Sequence, residues 1–317
     1  MYVRNLSLDL LKIIMTFLVV IGHTQTPFTA VIFSFHMPMF FMISGLFISK
    51  NTRLLLRIKK DMKRLLIPFF IFSILGLLTE SGKRLLLNRS FGDFGQVLSD
   101  AYLWINSGAY YYGFVLWFFP ALFWGKIIVQ ALINIKCEKY FFILLMIGFL
   151  TTDNISQILN LFPFGMGQGL VATIFLIIGY KFMQLPPNFK KIVFTFSLLY
   201  TIFFIVSTHK LPHLDLGSNL ISNHWYNILW SISFCLTFIY VFSELFTINN
   251  SKIVNSLCLS NLLIFSLHPY TNNISYLINN IFIHGEWFFV VIISIVLLLP
   301  IIFIRIRYPK LSIFKYV

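Results

Sequence analysis

Charged side chains are scarce in this sequence, and their scarcity indicates its class. Asp, Glu, Lys and Arg together make up 11% of the 317 residues, whereas hydrophobic residues make up 58%. A soluble protein of this length could not bury so much apolar surface and would need more charge to stay in solution. We therefore expect an all-α, polytopic membrane protein, in which most of the 38 phenylalanines face lipid or neighbouring helices.

Cysteines and metal-binding motifs are also few. The three cysteines are widely spaced and odd in number, which predicts neither a disulfide framework nor a metal knuckle. The sequence has no His-Glu-x-x-His motif, and Pro212 stands between His209 and His213, which argues against a helical metal site there. We expect no metal and no permanently bound cofactor.

The net charge of +14 does not point to nucleic acid in a chain of this composition. Lys and Arg accumulate in the cytoplasmic loops of membrane proteins, where they orient the helices and meet anionic lipids. Membrane lipids, and not nucleic acid, are therefore the expected partners of the basic residues.

Hydrophobic segments long enough for membrane helices recur along the whole chain. A span needs about 20 mostly apolar residues. Asp9 and Lys12 interrupt the first stretch and no small-residue cleavage site follows it, so we expect a retained helix and not a signal peptide. Residues 1–317 are expected to form a single membrane-embedded domain. The ten predicted spans are 7–25, 31–50, 65–79, 113–133, 140–152, 165–183, 191–207, 225–245, 256–272 and 286–304.

The distribution of basic residues predicts the orientation of these spans. With both termini in the cytoplasm, 19 Lys and Arg lie on the cytoplasmic side and four on the outer side, as the positive-inside rule requires. The hydrophilic segment 80–112 is then expected to fold over the outer mouth. All seven histidines lie at or beyond the outer ends of their spans: His23, His36, His209, His213, His224, His268 and His284.

His23, at the end of the first span, is the first candidate for chemistry. An ionisable side chain in a membrane segment is costly, and imidazole suits proton transfer near neutral pH. Lys12 precedes His23 by eleven residues, about three helical turns, so both share a face about 16 Å apart. Asp9 can pair with Lys12 at i, i+3. The alternatives are a hydrogen-bonded histidine inside the bundle, and headgroup anchoring by Asp9 and Lys12.

Two further histidines lie at a similar predicted depth. His36 is near the outer end of the second span, just before Pro38, and His268 falls at the outer end of the ninth. Ser44 and Gly45 follow on the second span, and we interpret them as small residues that let two helices approach closely.

A dense basic cluster lies at residues 50–64, between the second and third spans. It is either a topology determinant that meets lipid headgroups or a site for the phosphates of an anionic donor, which Arg binds bidentately. Arg57 and Arg64 are the candidates in this cluster. Lys126, in the cytoplasmic half of the fourth span, either extends to the interface or contacts the same donor.

The first 70 residues carry three motifs in order: RNLSLDLLK at 4–12 with VVIGH at 19–23, FHMPMFFMISG at 35–45, and RLLIPF at 64–69. Together they resemble the membrane-bound acyltransferase type 3 family. The branch to which they are most similar is the fucose 4-O-acetylase-like acetyltransferases of cell-surface glycans.

The resemblance implies a membrane enzyme of about ten helices in a bacterial cytoplasmic membrane. Such an enzyme moves an acetyl or other small acyl group from cytoplasmic acetyl-CoA, or another acyl-CoA, to a hydroxyl of a glycan or lipid-linked sugar. By the same resemblance, His23 is the essential histidine of the first helix and His36 matches the histidine of the second. Our hypothesis is that His23 acts as the general base or the acyl carrier, and that His36 orients or polarises the substrate. The donor-binding candidates are Lys12, where the family commonly has arginine, Arg57, Arg64 and Lys126.

Two alternatives to O-acetyl transfer stay open at this point. A transporter of a glycan or lipid-linked sugar would show broken helices, inverted repeats and charges near the midplane. The sequence shows only helix ends with proline and no clear symmetry between its halves. Succinyl transfer in place of acetyl transfer is the second alternative.

Overall fold

The computed structural model describes residues 5–86, 114–151, 155–208, 212, 214–217, 220–221 and 225–308. Nearly all of these residues are helical. The segment 80–112, which was expected to cover the outer mouth, lies outside the described residues from position 87 onward. His209, His213 and His224 lie outside them as well.

The N-terminal half of the chain forms a series of helices with one π-helical turn. Met62–Leu66 is that turn, and it joins α3 to α4 so that the three make one continuous helix of 33 residues. The helices are α1 (Leu6–Gly22), α2 (Thr29–Leu46), α3 (Leu54–Asp61), α4 (Ile67–Leu86), α5 (Phe118–Asn134) and α6 (Glu138–Thr151).

The described part of the C-terminal half adds six more helices and one short strand pair. The antiparallel strands β1 (Leu214–Asp215) and β2 (Leu220–Ile221) have two residues each. π-Helical turns extend α10 and α11 at Val241–Leu245 and Asn279–Ile283. The helices are α7 (Ile155–Asn160), α8 (Met166–Gln184), α9 (Pro187–Thr208), α10 (Trp225–Tyr240), α11 (Lys252–Ile278) and α12 (Trp287–Arg307).

Seven helical segments of the described chain are long and apolar enough to cross a membrane. The protein is therefore an all-helical, multi-pass membrane protein, apart from its two short strands. Each of the ten predicted spans coincides with a helix, but α1 and α5 have 17 residues and α6 has 14. Ten spans and cytoplasmic termini stay predictions. The seven segments are Thr29–Leu46, Leu54–Leu86, Met166–Gln184, Pro187–Ser207, Tyr226–Leu245, Lys252–Ile283 and Trp287–Arg307.

The helix that contains the third predicted span is longer than the sequence predicted. A scan for apolar residues finds only 65–79, whereas the helix begins at Leu54. The additional turns carry Arg57 and Asp61, which are buried against α5 although they are charged. Hydropathy places such residues in a loop, because it does not register a buried ionic contact.

Contacts between the links that join the helices define two ends of the bundle. The start of α1 and the link before α11 meet where the Ile248 amide donates to Ser7 Oγ at 2.9 Å. The end of α5 holds the link after α2 where Gln130 Nε2 donates to the Ser49 carbonyl at 3.3 Å. We call this end, with links 47–53, 135–137, 185–186 and 246–251, the basic end. The opposite end, with links 23–28, 161–165 and 284–286, is the histidine end.

Helix α2 lies at the centre and packs against α1, α8 and α10. Its backbone comes into direct contact with that of α8 at two glycines. A Cβ added to Gly45 would overlap the carbonyl oxygen of Leu176, and one added to Gly179 would overlap that of Met42. The structure thus confirms the interpretation of Gly45 as a packing residue.

Replacing Gly179 with alanine should test this contact. We expect Gly179→Ala to destabilise the protein by about 1–3 kcal/mol, because the new methyl forces two helices apart. The measurement is thermal unfolding of the purified protein in detergent micelles.

Gly82→Ala is the matched control, since a Cβ there meets no atom within 4 Å. Alanine is the better helix former by about 0.5–1 kcal/mol, so this control should be neutral or stabilising. Equal melting temperatures for the two variants would contradict the close packing of α2 on α8.

Candidate active site

His23 lies at the junction between α1 and the link to α2. Asn5 begins the helix: its side-chain oxygen accepts from the amides of Ser7 and Leu8 at 2.9 and 3.1 Å. The helix ends at Gly22, and His23 is its half-buried C-cap residue. The imidazole is therefore positioned by the last turn of a capped helix.

The structure brings together three of the histidines singled out by the sequence. The rings of His23 and His268 are stacked, with centroids 5.3 Å apart. Phe33 bridges to the third histidine, because its ring lies 5.0 Å from His23 and 5.2 Å from His36. In the described part of the chain, no group of three or more His, Cys, Asp or Glu has an arrangement that could hold a metal.

Two of the three imidazoles are held through the same ring nitrogen. Nδ1 of His36 lies 2.7 Å from the Ile32 carbonyl, and Nδ1 of His268 lies 2.7 Å from the Phe265 carbonyl. A carbonyl oxygen only accepts, so Nδ1 carries a proton in both residues. Nε2 is then the nitrogen left for chemistry. Nε2 of His268 is buried and has no hydrogen-bond partner among the described residues.

A small cavity opens beside His23 and His36. Its volume is about 30 Å³, enough for one or two water molecules. Asp215 of β1 lines it, and the turn after β1 is fixed because Gln168 Nε2 donates to the Gly217 carbonyl at 3.3 Å. Sequence reasoning did not single out Asp215. The residues around the cavity include His23, Phe33, His36, Trp117, Asp215 and Phe265.

Asn272 ties the end of α1 to α11 and α12. Its amide nitrogen donates to the carbonyl of Val20 at 3.2 Å and to that of His23 at 3.4 Å. Its oxygen accepts from Ser294 at 2.5 Å, and Ser294 also meets the Thr271 hydroxyl at 2.8 Å. Sequence reasoning missed Asn272, although its position four residues after His268 puts both on one helix face.

At the basic end, α1 carries the predicted ion pair. Lys12 Nζ lies 3.0 Å from Asp9 Oδ1 and 5.0 Å from the centre of the Phe47 ring. The pairing of Asp9 with Lys12 is confirmed. Lys12 and His23 thus belong to opposite ends of one helix, and the contact of Lys12 with a donor stays a prediction.

Arg57 and Lys126 meet at one buried carboxylate. Arg57 Nη1 lies 3.8 Å and Lys126 Nζ 3.4 Å from Asp61, whose side chain is 1% exposed. Arg57 also donates to Gln130 Oε1 through Nε and Nη2, both at 3.3 Å. The ammonium group of Lys126 therefore contacts a buried carboxylate. The sequence had also allowed this side chain to extend to the membrane interface without such a partner. Arg64, in the π-helical turn, is exposed.

The helical bundle and the histidine cluster near one of its ends define the class of the protein. It is a multi-pass membrane protein with a buried polar site. The chain belongs to the type 3 acyltransferase family: the family model described as an acyltransferase domain matches residues 5–312. The protein is thus a membrane acyltransferase. No curated protein and no solved structure matches the chain.

The charge of Asp61 should be essential for stability. Asp61→Asn leaves Arg57 and Lys126 without their shared carboxylate, and breaking a buried ion pair from one side costs about 3–5 kcal/mol. We expect a large drop in melting temperature in detergent micelles.

The control for Asp61→Asn is Glu244→Gln. This change breaks the ion pair between Glu244 Oε1 and Lys190 Nζ, which are 2.8 Å apart, and the Glu244 side chain is 31% exposed. Such partly exposed pairs contribute about 0–1 kcal/mol. If Asp61→Asn lowers the melting temperature no more than Glu244→Gln does, the buried network does not stabilise the packing of the helices.

Asn272→Ala should impair catalysis through the position of His23. Without the amide, the end of α1 is free to shift, and a displacement of about 1 Å costs up to about a hundredfold in rate. We expect kcat for acyl transfer to fall about tenfold or more while the donor KM changes less than about twofold.

Asn273→Ala is the matched control, because the Asn273 side chain is exposed and its one hydrogen bond to the described residues stays within its own helix, to the Pro269 carbonyl at 2.7 Å. Both variants are compared at equal amounts of folded protein. A normal kcat in Asn272→Ala would exclude a positioning role for this residue.

Proposed function

We propose that the protein is an O-acetyltransferase of a bacterial cytoplasmic membrane. It transfers the acetyl group of acetyl-CoA to a hydroxyl of a cell-surface polysaccharide or of its lipid-linked precursor. The observation that carries the proposal is the pair His23 and His36 at one cavity, in a chain of the acyltransferase family. Imidazole is the side chain that most often moves protons in such transfers.

In the proposed reaction, His23 acts as the general base. A ring nitrogen takes the proton of the acceptor hydroxyl while the hydroxyl oxygen attacks the thioester carbonyl. The new C–O bond forms, the C–S bond breaks, and the proton passes from the imidazolium to the thiolate of coenzyme A. No net proton or electron is gained or lost.

The surroundings of His23 support this role. Its ring nitrogens make no hydrogen bond to the described residues, so they are available to a substrate. His36, held through Nδ1, presents Nε2 for a hydrogen bond to the acceptor or to the thioester oxygen. Asp215, the carboxylate at the cavity, is placed to stabilise positive charge on these imidazoles.

The separation of charge along α1 and α2 is consistent with substrates arriving from opposite sides. Lys12 and the 50–64 cluster lie toward the basic end, and the imidazoles lie toward the histidine end. A donor whose phosphates bind at the basic end would extend its thioester between the helices. The acceptor would enter at the histidine end.

His23→Ala should abolish acetylation, and His36→Ala should reduce it. Loss of a general base costs about 10²–10⁴-fold in rate. The measurement is the acetyl content of the surface glycan by NMR, at matched protein levels, with transfer from labelled acetyl-CoA in isolated membranes.

His284→Asn is the control, since His284 is an exposed histidine of the same end with φ of 53°, a conformation that asparagine tolerates. Undiminished acetylation in His23→Ala would end the proposal. If a deletion strain instead accumulated untranslocated glycan and wild-type membranes transferred no label, the chain would act as a transporter.

A further inference from the structure

A second, larger cavity lies at the basic end of the bundle. It is bounded by the link between α2 and α3, by the end of α5 and by α8, and its volume is about 460 Å³. Cavities of roughly 300–1,000 Å³ are typical of small-molecule sites. We call it the basic pocket; the lining residues used below are Lys50, Thr52, Arg53, Asn134, Lys136 and Glu138.

The pocket carries positive charge that its walls do not neutralise. Lys50, Arg53 and Lys136 form no ion pair with any described residue. Glu138 is the acid in the wall, and it is bound to Lys181 of α8 at 2.5 Å. Three cations therefore face one cavity without a counter-charge, which favours an anionic occupant.

The walls also supply neutral hydrogen-bond donors. Asn134 accepts from Gln130 through Oδ1 at 3.1 Å, which leaves its amide N–H groups to donate elsewhere. The hydroxyl of Thr52 is a second donor beside Arg53. Arginine combined with amide and hydroxyl donors suits the several oxygens of a phosphate group.

A buried network fixes the two sides of the pocket relative to each other. Gln130 is fully buried and donates both to the Ser49 carbonyl, next to Lys50, and to Asn134. Arg57 donates to the same Gln130 and is itself held by Asp61. Arg57 therefore acts on the pocket through Gln130, as a positioning residue.

Lys136 occupies the pocket in a backbone conformation that lysine rarely adopts. Its φ is 58°, in the left-handed region. The turn is held by hydrogen bonds from the amides of Lys136 and Cys137 to the carbonyls of Ile133 and Leu132, at 3.1 and 2.9 Å. These two hydrogen bonds form a common left-handed helix ending, which places Lys136 in the wall of the pocket.

We infer that the basic pocket binds the phosphate groups of the acyl donor's nucleotide, with Lys50, Arg53 and Lys136 as the charged contacts. This rests on the proposed use of acetyl-CoA, whose nucleotide carries a 3′-phosphate and a 5′-diphosphate. The assignment moves the donor contacts away from Arg57 and Lys126, whose charges are already engaged by Asp61. A phospholipid headgroup presents the same chemistry and must be distinguished by experiment.

The kinetic test uses Lys50→Gln, Arg53→Gln and Lys136→Asn in vesicles of pure phosphatidylcholine. Each should raise the KM for acetyl-CoA about tenfold, since a charge-assisted hydrogen bond is lost, and should leave kcat within about twofold. Lys191→Gln is the control, because Lys191 is exposed on α9 outside the pocket. Unchanged KM values in all three variants would overturn the assignment.

The binding test uses adenosine 3′,5′-bisphosphate and the purified full chain, measured by titration calorimetry. The three variants should bind it about tenfold more weakly, while His23→Ala should bind it as the wild type does. If the wild type binds the bisphosphate but transfers no acetyl group, the proposed function fails and the pocket assignment stands. If His23→Ala loses transfer while the pocket variants keep normal binding and KM, the pocket assignment fails alone.

The lipid alternative is tested by adding phosphatidylglycerol to the vesicles. A nucleotide pocket predicts the same difference in KM between wild type and variants with and without anionic lipid. If the wild type acquires a low KM only in the anionic vesicles, and binds no bisphosphate in their absence, the pocket holds a headgroup and the donor assignment is wrong.

Discussion

The constraint on which this structure depends is that a polar group inside the bundle has no water to bind and must find a partner in the protein. At the basic end, Asp61 pairs with Arg57 and Lys126, and Arg57 also donates to Gln130. Asn272 satisfies carbonyls of α1 and the hydroxyl of Ser294. Each network joins at least two helices, so the satisfaction of polar groups also sets how the helices are arranged.

Several buried polar atoms of the described chain have no hydrogen-bond partner, and one of them belongs to the histidine cluster. Nε2 of His268 is buried without a partner in the described chain and lies on a ring that stacks on His23. The cations of the basic pocket also form no ion pair in the described chain, but they are exposed and therefore solvated. A buried group left unsatisfied costs stability, and it can persist where a ligand supplies the missing partner.

The sequence predicted the helices and part of the site for identifiable reasons. Apolar runs reveal membrane helices directly, and helical spacing placed Asp9 beside Lys12. The same spacing could have shown that Arg57 lies beside Asp61 and that His268 and Asn272 share a helix face. It could not show that Lys126 reaches Asp61, 65 residues away, or that Gln130 meets the link after α2. Contacts between distant segments depend on how helices pack, which no local pattern contains.

The glycine contact between α2 and α8 has a consequence for how substrates gain access. Backbone meets backbone at Gly45 and again at Gly179, about one turn apart along the same interface, so any movement of one helix toward the other brings backbone atoms into overlap. Transporters expose one site to two sides in turn by rocking such elements against each other. Packing of this kind does not favour rocking of α2 against α8. If the donor is the coenzyme A thioester proposed above, the moving part would be the flexible arm of that donor.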